Sequence, residues 1–119
     1  APALVVKKDG RRVPYDREKM LGGIIRACEK RPVSREQIDR VVDRVEARVF
    51  AGARDEVSSK EIGEAVMDEL EELDEIAYVR FASVYRSFRN VNQFMDELRS
   101  ILDRHDDDPP SPGQQKGPR

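Results

Sequence analysis

Five cations stand close together near the start of this chain. Lys7 and Lys8 follow an apolar run, Leu4-Val5-Val6, and Arg11 and Arg12 follow Asp9-Gly10. Lys19 comes three residues after Asp16, which is well placed to cap a helix. The chemistry such a group could do is to hold phosphate. A helix start adds its free N–H groups and the positive end of its dipole to any nearby lysine. Several cations around one helix start suit a triphosphate. The same residues suit a plainer task as well, since Lys and Arg blunt the edges of small sheets.

The elements that must position these residues follow from local chemistry. Leu4, Val5 and Val6 have the β-branched, apolar character of a strand. Asp9-Gly10 is a hairpin signal, because Gly adopts positive φ freely. The segment 11–15 returns as a second strand, and Pro14 places it at an edge, since Pro cannot donate to a ladder. Side chains alternate along a strand, so Lys7 and Lys8 should leave the first strand on opposite faces.

A helix is then expected over 17–31, with Met20, Ile24, Ala27 and Cys28 on one stripe, ended by Pro32. Gly22 and Gly23 inside it admit two explanations: close approach of a ligand or backbone, or packing of the hairpin on this helix. Ser34 with Gln37 forms a capping box for a second helix to about residue 51, closed by Gly52. The segment 54–57 is short enough to be a third strand. Ser58 with Glu61 caps a third helix, 59–73, and Asp74 a fourth, 75–89. That fourth helix is apolar or aromatic almost all round, which predicts burial on most sides. Its Arg80 and Arg86 then need a polar outlet or a carboxylate. The six acidic residues within 68–75 read as a solvated face. A fifth amphipathic helix is expected over about 91–103, and a polar tail after it lacks the apolar residues needed to fold.

Composition narrows the function. The 119 residues suffice for one domain with a modest core, and 39% are charged. No apolar run approaches the length of a membrane helix, and no signal peptide is visible. Cys28 is the sole cysteine and His105 the sole histidine, which excludes an internal disulfide and argues against His-based catalysis. No nucleophile–base pair and no Walker A motif is present, so the chain reads as no enzyme. A cytoplasmic location is expected. Residues 4–31 hold nine Lys/Arg against four Asp/Glu, a surplus of +5 on a chain of net −2. A basic opening on an acidic body favours a local anionic ligand over broad binding to nucleic acid.

The hairpin residues Val5-Val6-Lys7-Lys8-Asp9-Gly10, with Lys19 a turn into the next helix, resemble the ATP-cone, a nucleotide-sensing module. Two further segments, CEKRPVS at 28–34 and LDEIAYVRFASVYRSF at 73–88, resemble NrdR-type repressors of ribonucleotide reductase genes. The resemblance covers nearly the whole chain to residue 102. It implies a mostly α (α+β) fold: a four-helix bundle capped by a small three-stranded sheet, plus a C-terminal helix. The implied domains are an ATP-cone at 3–93, a helical extension at 91–104 and a disordered tail at 105–119.

The resemblance also implies a ligand site. Adenine would lie against Val6 and the helix face near Met20 and Gly23, and Lys7, Lys8 and Lys19 would hold phosphates. Ser59 would lie near the ligand and Tyr85 would border the pocket. ATP and dATP are the implied allosteric ligands, with Mg2+ alongside and no dedicated metal residue. The implied partners are further copies of the chain, in an assembly set by the nucleotide, and no membrane. Repressors of this family carry a zinc ribbon that binds promoter DNA. Its CxxC pairs are not found here, so zinc and DNA are expected to belong to a ribbon preceding residue 1. Two rivals remain: the allosteric cone of a ribonucleotide reductase, and a helical interaction module without ligand.

Overall fold

The computed structural model describes residues 3–107. They fall into two compact units divided between Ser87 and Phe88. The first unit contains β1 (Leu4–Val6), β2 (Arg12–Pro14), α1 (Arg17–Ala27), α2 (Arg35–Val49), β3 (Glu56–Ser58), α3 (Ser59–Leu73) and α4 (Glu75–Tyr85). The second holds α5 (Val91–Asp107).

In the first unit each helix packs on two others: α1 on α2 and α4, and α3 on α2 and α4. This closes a four-helix bundle. Ile24, Val41, Val42, Val66, Leu70 and Ala77 are wholly buried at its centre. Apart from Ala77, these are the positions that helical spacing assigns to the inner stripes. The three-stranded sheet has β1 in the middle, antiparallel to β2 and parallel to β3. Val5 pairs with Val13 on one side and Val57 on the other, and Val5 and Val57 are buried. Pro14 does lie on an edge strand.

Both capping boxes form. Ser34 accepts from the Gln37 N–H, Ser58 from the Glu61 N–H, and each partner side chain accepts in return. Several boundaries differ from expectation. The hairpin loop contains three residues, closed by Lys7 N–H to Arg11 O (2.8 Å) and Gly10 N–H to Lys7 O (2.9 Å). Only Gly10 in it has positive φ, +89°. This matches a three-residue turn with an αL residue at the last position. Lys8 therefore belongs to the turn rather than the strand.

The first helix stops at Ala27, not 31, and Lys30 adopts φ +59°. Pro32 disfavours helical backbone at the residue before it, so the last turn unwinds early. The second helix closes at Val49, and Gly52 and Ala53 turn with positive φ. The third strand is Glu56–Ser58, shifted toward the cap. The fourth helix ends at Tyr85, followed by Ser87 at φ +49°. The expected burial of α4 on most sides is also overturned: only Ala77, Tyr78 and Ala82 are buried, Ile76 is exposed and Val84 is 82% exposed. A surface that is apolar almost all round cannot be covered on every side in a bundle where α4 packs on two helices. Within the second unit, α5 runs past 103, so 105–107 are helical rather than tail. Phe88 meets Phe94 edge-on at 5.2 Å. The rest of the expected tail, 108–119, lies outside the described residues.

Candidate functional site

A cavity of about 230 Å3 lies between the sheet and the bundle. Its floor is apolar: Val5, Val13, Met20, Ile62, Val66 and Phe81. Lys7 and Lys19 line it as well. Lys7 comes from the end of β1, two residues after Val5 and therefore on the same side of the chain. Lys19 stands in the first turn of α1, whose N-cap Asp16 accepts from the Lys19 N–H at 3.1 Å. Neither lysine is in an ion pair among the described residues. An apolar slot with two available ammonium groups at a helix start can take a flat ring and hold its phosphates.

Of the residues singled out in the sequence, Lys7, Lys19, Met20, Gly23, Ser59 and Tyr85 all line this cavity. Val6 and Lys8 are not among its lining residues. Alternation turns the Val6 side chain away from that of Val5, and Lys8 stands exposed in the turn. Sequence reasoning passed over Val5, Tyr15, Gly63 and Phe81. The periods that find three of them were available: Val5 lies two before Lys7, Phe81 four before Tyr85, and Gly63 four after Ser59.

Tyr15 joins the cavity to the bundle. Its hydroxyl donates to Glu46 at 2.7 Å, and its ring meets Phe50 edge-on at 4.9 Å. Arg17 also pairs with Glu46 and with Asp43. Burial, then the hydrogen bond to Glu46, push the Tyr15 phenol well above its usual range. It is therefore a fixed neutral donor. Tyr85 closes the opposite wall, and its hydroxyl points to Ser59 O (3.3 Å) and Lys60 O (3.2 Å). Burial, with Glu64 nearby, raises its phenol too.

The two helical glycines of α1 are not explained by the hairpin. A Cβ on Gly22 would come no nearer than 3.5 Å to Arg26, and one on Gly23 would meet Phe81 at 3.7 Å. Gly23 opens onto the cavity instead.

The segments 28–34 and 73–88 touch each other. Arg31 Nε donates to both oxygens of Asp74 at 3.0 Å, and the Asp74 side chain is 7% exposed. Asp74 also caps α4 by accepting from the Ala77 N–H at 2.9 Å. Burial pushes this carboxyl up, but the Ala77 N–H and Arg31 outweigh it and hold it below the usual value. Arg80 donates to Ala27 O (3.2 Å) and Glu29 O (2.7 Å), the carbonyls freed where α1 unwinds. Arg86 pairs with Glu64. Elsewhere in the acidic run, Asp68 and Glu69 pair with Arg48 and Arg44 at the surface.

The profile of the ATP cone domain matches residues 3–91. The transcriptional repressor NrdR of Geobacter metallireducens is 63% identical over 99 residues, 83% of this chain and 66% of that protein. NrdR of Caldicellulosiruptor saccharolyticus is 57% identical over 101 residues, 85% of this chain and 66% of that protein. NrdR of Acetivibrio thermocellus is 58% identical, covering 85% and 67%. The chain thus spans about two thirds of the length of these relatives. They are named as transcriptional repressors, not as enzymes. No described helix is long and apolar enough to cross a membrane. With the ATP cone profile over about three quarters of its length and this degree of identity to the relatives, the chain belongs to the ATP-cone family of NrdR transcriptional repressors.

Proposed function

We propose that this chain is the nucleotide-sensing and oligomerising part of a cytoplasmic repressor of ribonucleotide reductase genes. The cone occupies 3–93 and the helical extension 91–104. The observation that carries the reading is the apolar cavity with Lys7 and Lys19 at its rim, inside a chain matched by the ATP cone profile. ATP and dATP bind there and are not turned over. Mg2+ rides on their phosphates, because the one carboxylate in the lining, Asp16, already caps α1. Zinc and promoter DNA belong to a ribbon outside these residues, and the body of this chain is acidic where DNA would repel it.

The nucleotide sets which assembly of copies forms. ATP and dATP differ by one hydroxyl, so the coupling is modest, about 1–3 kcal/mol. That is enough to shift two nearly balanced assemblies. Calorimetric titration with each nucleotide tests the binding. Light scattering with ATP, with dATP and without ligand tests the coupling. Binding without any change of mass would leave a passive nucleotide domain, and no binding at all would leave a helical interaction module.

A further inference from the structure

A second cavity, about 350 Å3, lies beside the first and is lined by Arg26, Ala27, Arg80 and Val84. Gly23, Phe81 and Tyr85 line both. The Phe81 and Tyr85 rings are stacked, 18° from parallel with centroids 6.1 Å apart. This pair is the wall shared by the two spaces.

What holds that wall is unusual. Tyr85 is the last residue of α4, next to the 82% exposed Val84, and the chain turns at Ser87 with φ +49°. Its ring depends on α3 for a seat. Gly63 is buried within α3, and a Cβ built on it would lie 2.2 Å from ring atoms of Tyr85. No residue bearing a side chain fits there while Tyr85 keeps its place. Glycine is unfavourable inside a helix on its own account, so the notch is a cost that the ring's position requires. The hydroxyl then reaches the carbonyls of Ser59 and Lys60, one turn earlier on the same face.

We propose that Gly63 is a positioning residue for the nucleotide: its bare backbone seats the Tyr85 ring as the wall between the two cavities, and so fixes the shape against which close nucleotide analogues are distinguished. This rests on the nucleotide reading above. The test is a calorimetric cycle on the full chain with ATP and dATP, using Gly63→Ala, Tyr85→Ala and the double variant, with circular dichroism to verify folding. Gly63→Ala should weaken ATP binding roughly tenfold and change the ATP-to-dATP affinity ratio by about threefold or more. In the double variant Gly63→Ala should add nothing to Tyr85→Ala, because the ring it would strike is gone.

Wild-type affinity and ratio in folded Gly63→Ala would overturn the proposal. So would equal loss for both nucleotides, or a double variant that loses the product of the two single losses. If Gly63→Ala does not fold, the double variant against Tyr85→Ala decides alone. A wild-type chain that binds neither nucleotide overturns the nucleotide reading instead.

Discussion

Two groups of cations in the first unit carry the same formal charge and have opposite surroundings. Lys7 and Lys19 line a cavity, in no ion pair among the described residues. Arg31 and Arg80 are engaged by the fold itself, one by the buried carboxylate of Asp74 and the other by the carbonyls of Ala27 and Glu29. The first pair is open to an anionic ligand. The second fixes the end of α1 against α4, and with it the Phe81–Tyr85 wall of the same cavity. Basic residues are therefore not one class here: whether a protein acceptor already faces the charge separates binding from architecture.

Breaking the joint should have the largest effect. Asp74→Ala removes the α4 cap and leaves Arg31 without its carboxylate. Losing a cap costs about 1 kcal/mol and a charged hydrogen-bonded partner about 1.5–3 kcal/mol. Denaturant unfolding should show a loss of about 2.5–4 kcal/mol. Asp74→Asn, which still caps, should recover about 1 kcal/mol of it. A loss under 0.5 kcal/mol for Asp74→Ala would erase the distinction between the two groups.

Next comes the cavity side. Lys7→Ala or Lys19→Ala should weaken ATP binding by about 1.5–2 kcal/mol, roughly ten- to thirtyfold. Stability should stay within about 0.5 kcal/mol of wild type, as for other surface changes. Unchanged affinity in both single variants would remove them from the site. A smaller, graded difference should follow from salt. Screening by 1 M salt should weaken nucleotide binding several-fold, while the largely buried Asp74 carboxylate responds little.

The smallest effect concerns pH at the α3 cap. Arg54 first, and then the Ser58 N–H, hold the Glu61 carboxyl down to about 2, against 4.5 for the free group. A carboxyl whose folded value is depressed stabilises fully above 4.5 and loses that contribution as pH falls toward 2. Asp74 is lowered too and acts with the same sign. Stability measured between pH 6 and pH 2.5 should fall, and less steeply in Glu61→Gln. An equal slope in that variant would show that Glu61 contributes nothing to it.

The helices and their starts were legible because their causes are local. Ser34 with Gln37 and Ser58 with Glu61 are complete chemical units within four residues, and the apolar stripes need only the 3.6-residue period. Lys7 and Lys19 were legible as a pair of cations near a helix start for the same reason. Helix ends were less so. Whether 28–31 continues α1 depends on a competition between Pro32, the left-handed Lys30 and the pull of Asp74 on Arg31, and Asp74 lies 43 residues away in sequence. The all-round apolar pattern of α4 could not say which of its faces would be left without a partner.

The sequence by itself determined five helices, a hairpin and a cationic corner, because capping, turn geometry and periodicity act over a few residues. Only the tertiary structure decided that Val5 rather than Val6 faces the cavity, and that Gly63 is occupied from outside by the Tyr85 ring. A glycine in a helix looks the same in sequence whether a side chain there would make only an ordinary contact, as at Gly22, or would strike a ring 22 residues away, as at Gly63. The difference lies in what approaches it, and packing between α3 and α4 sets that.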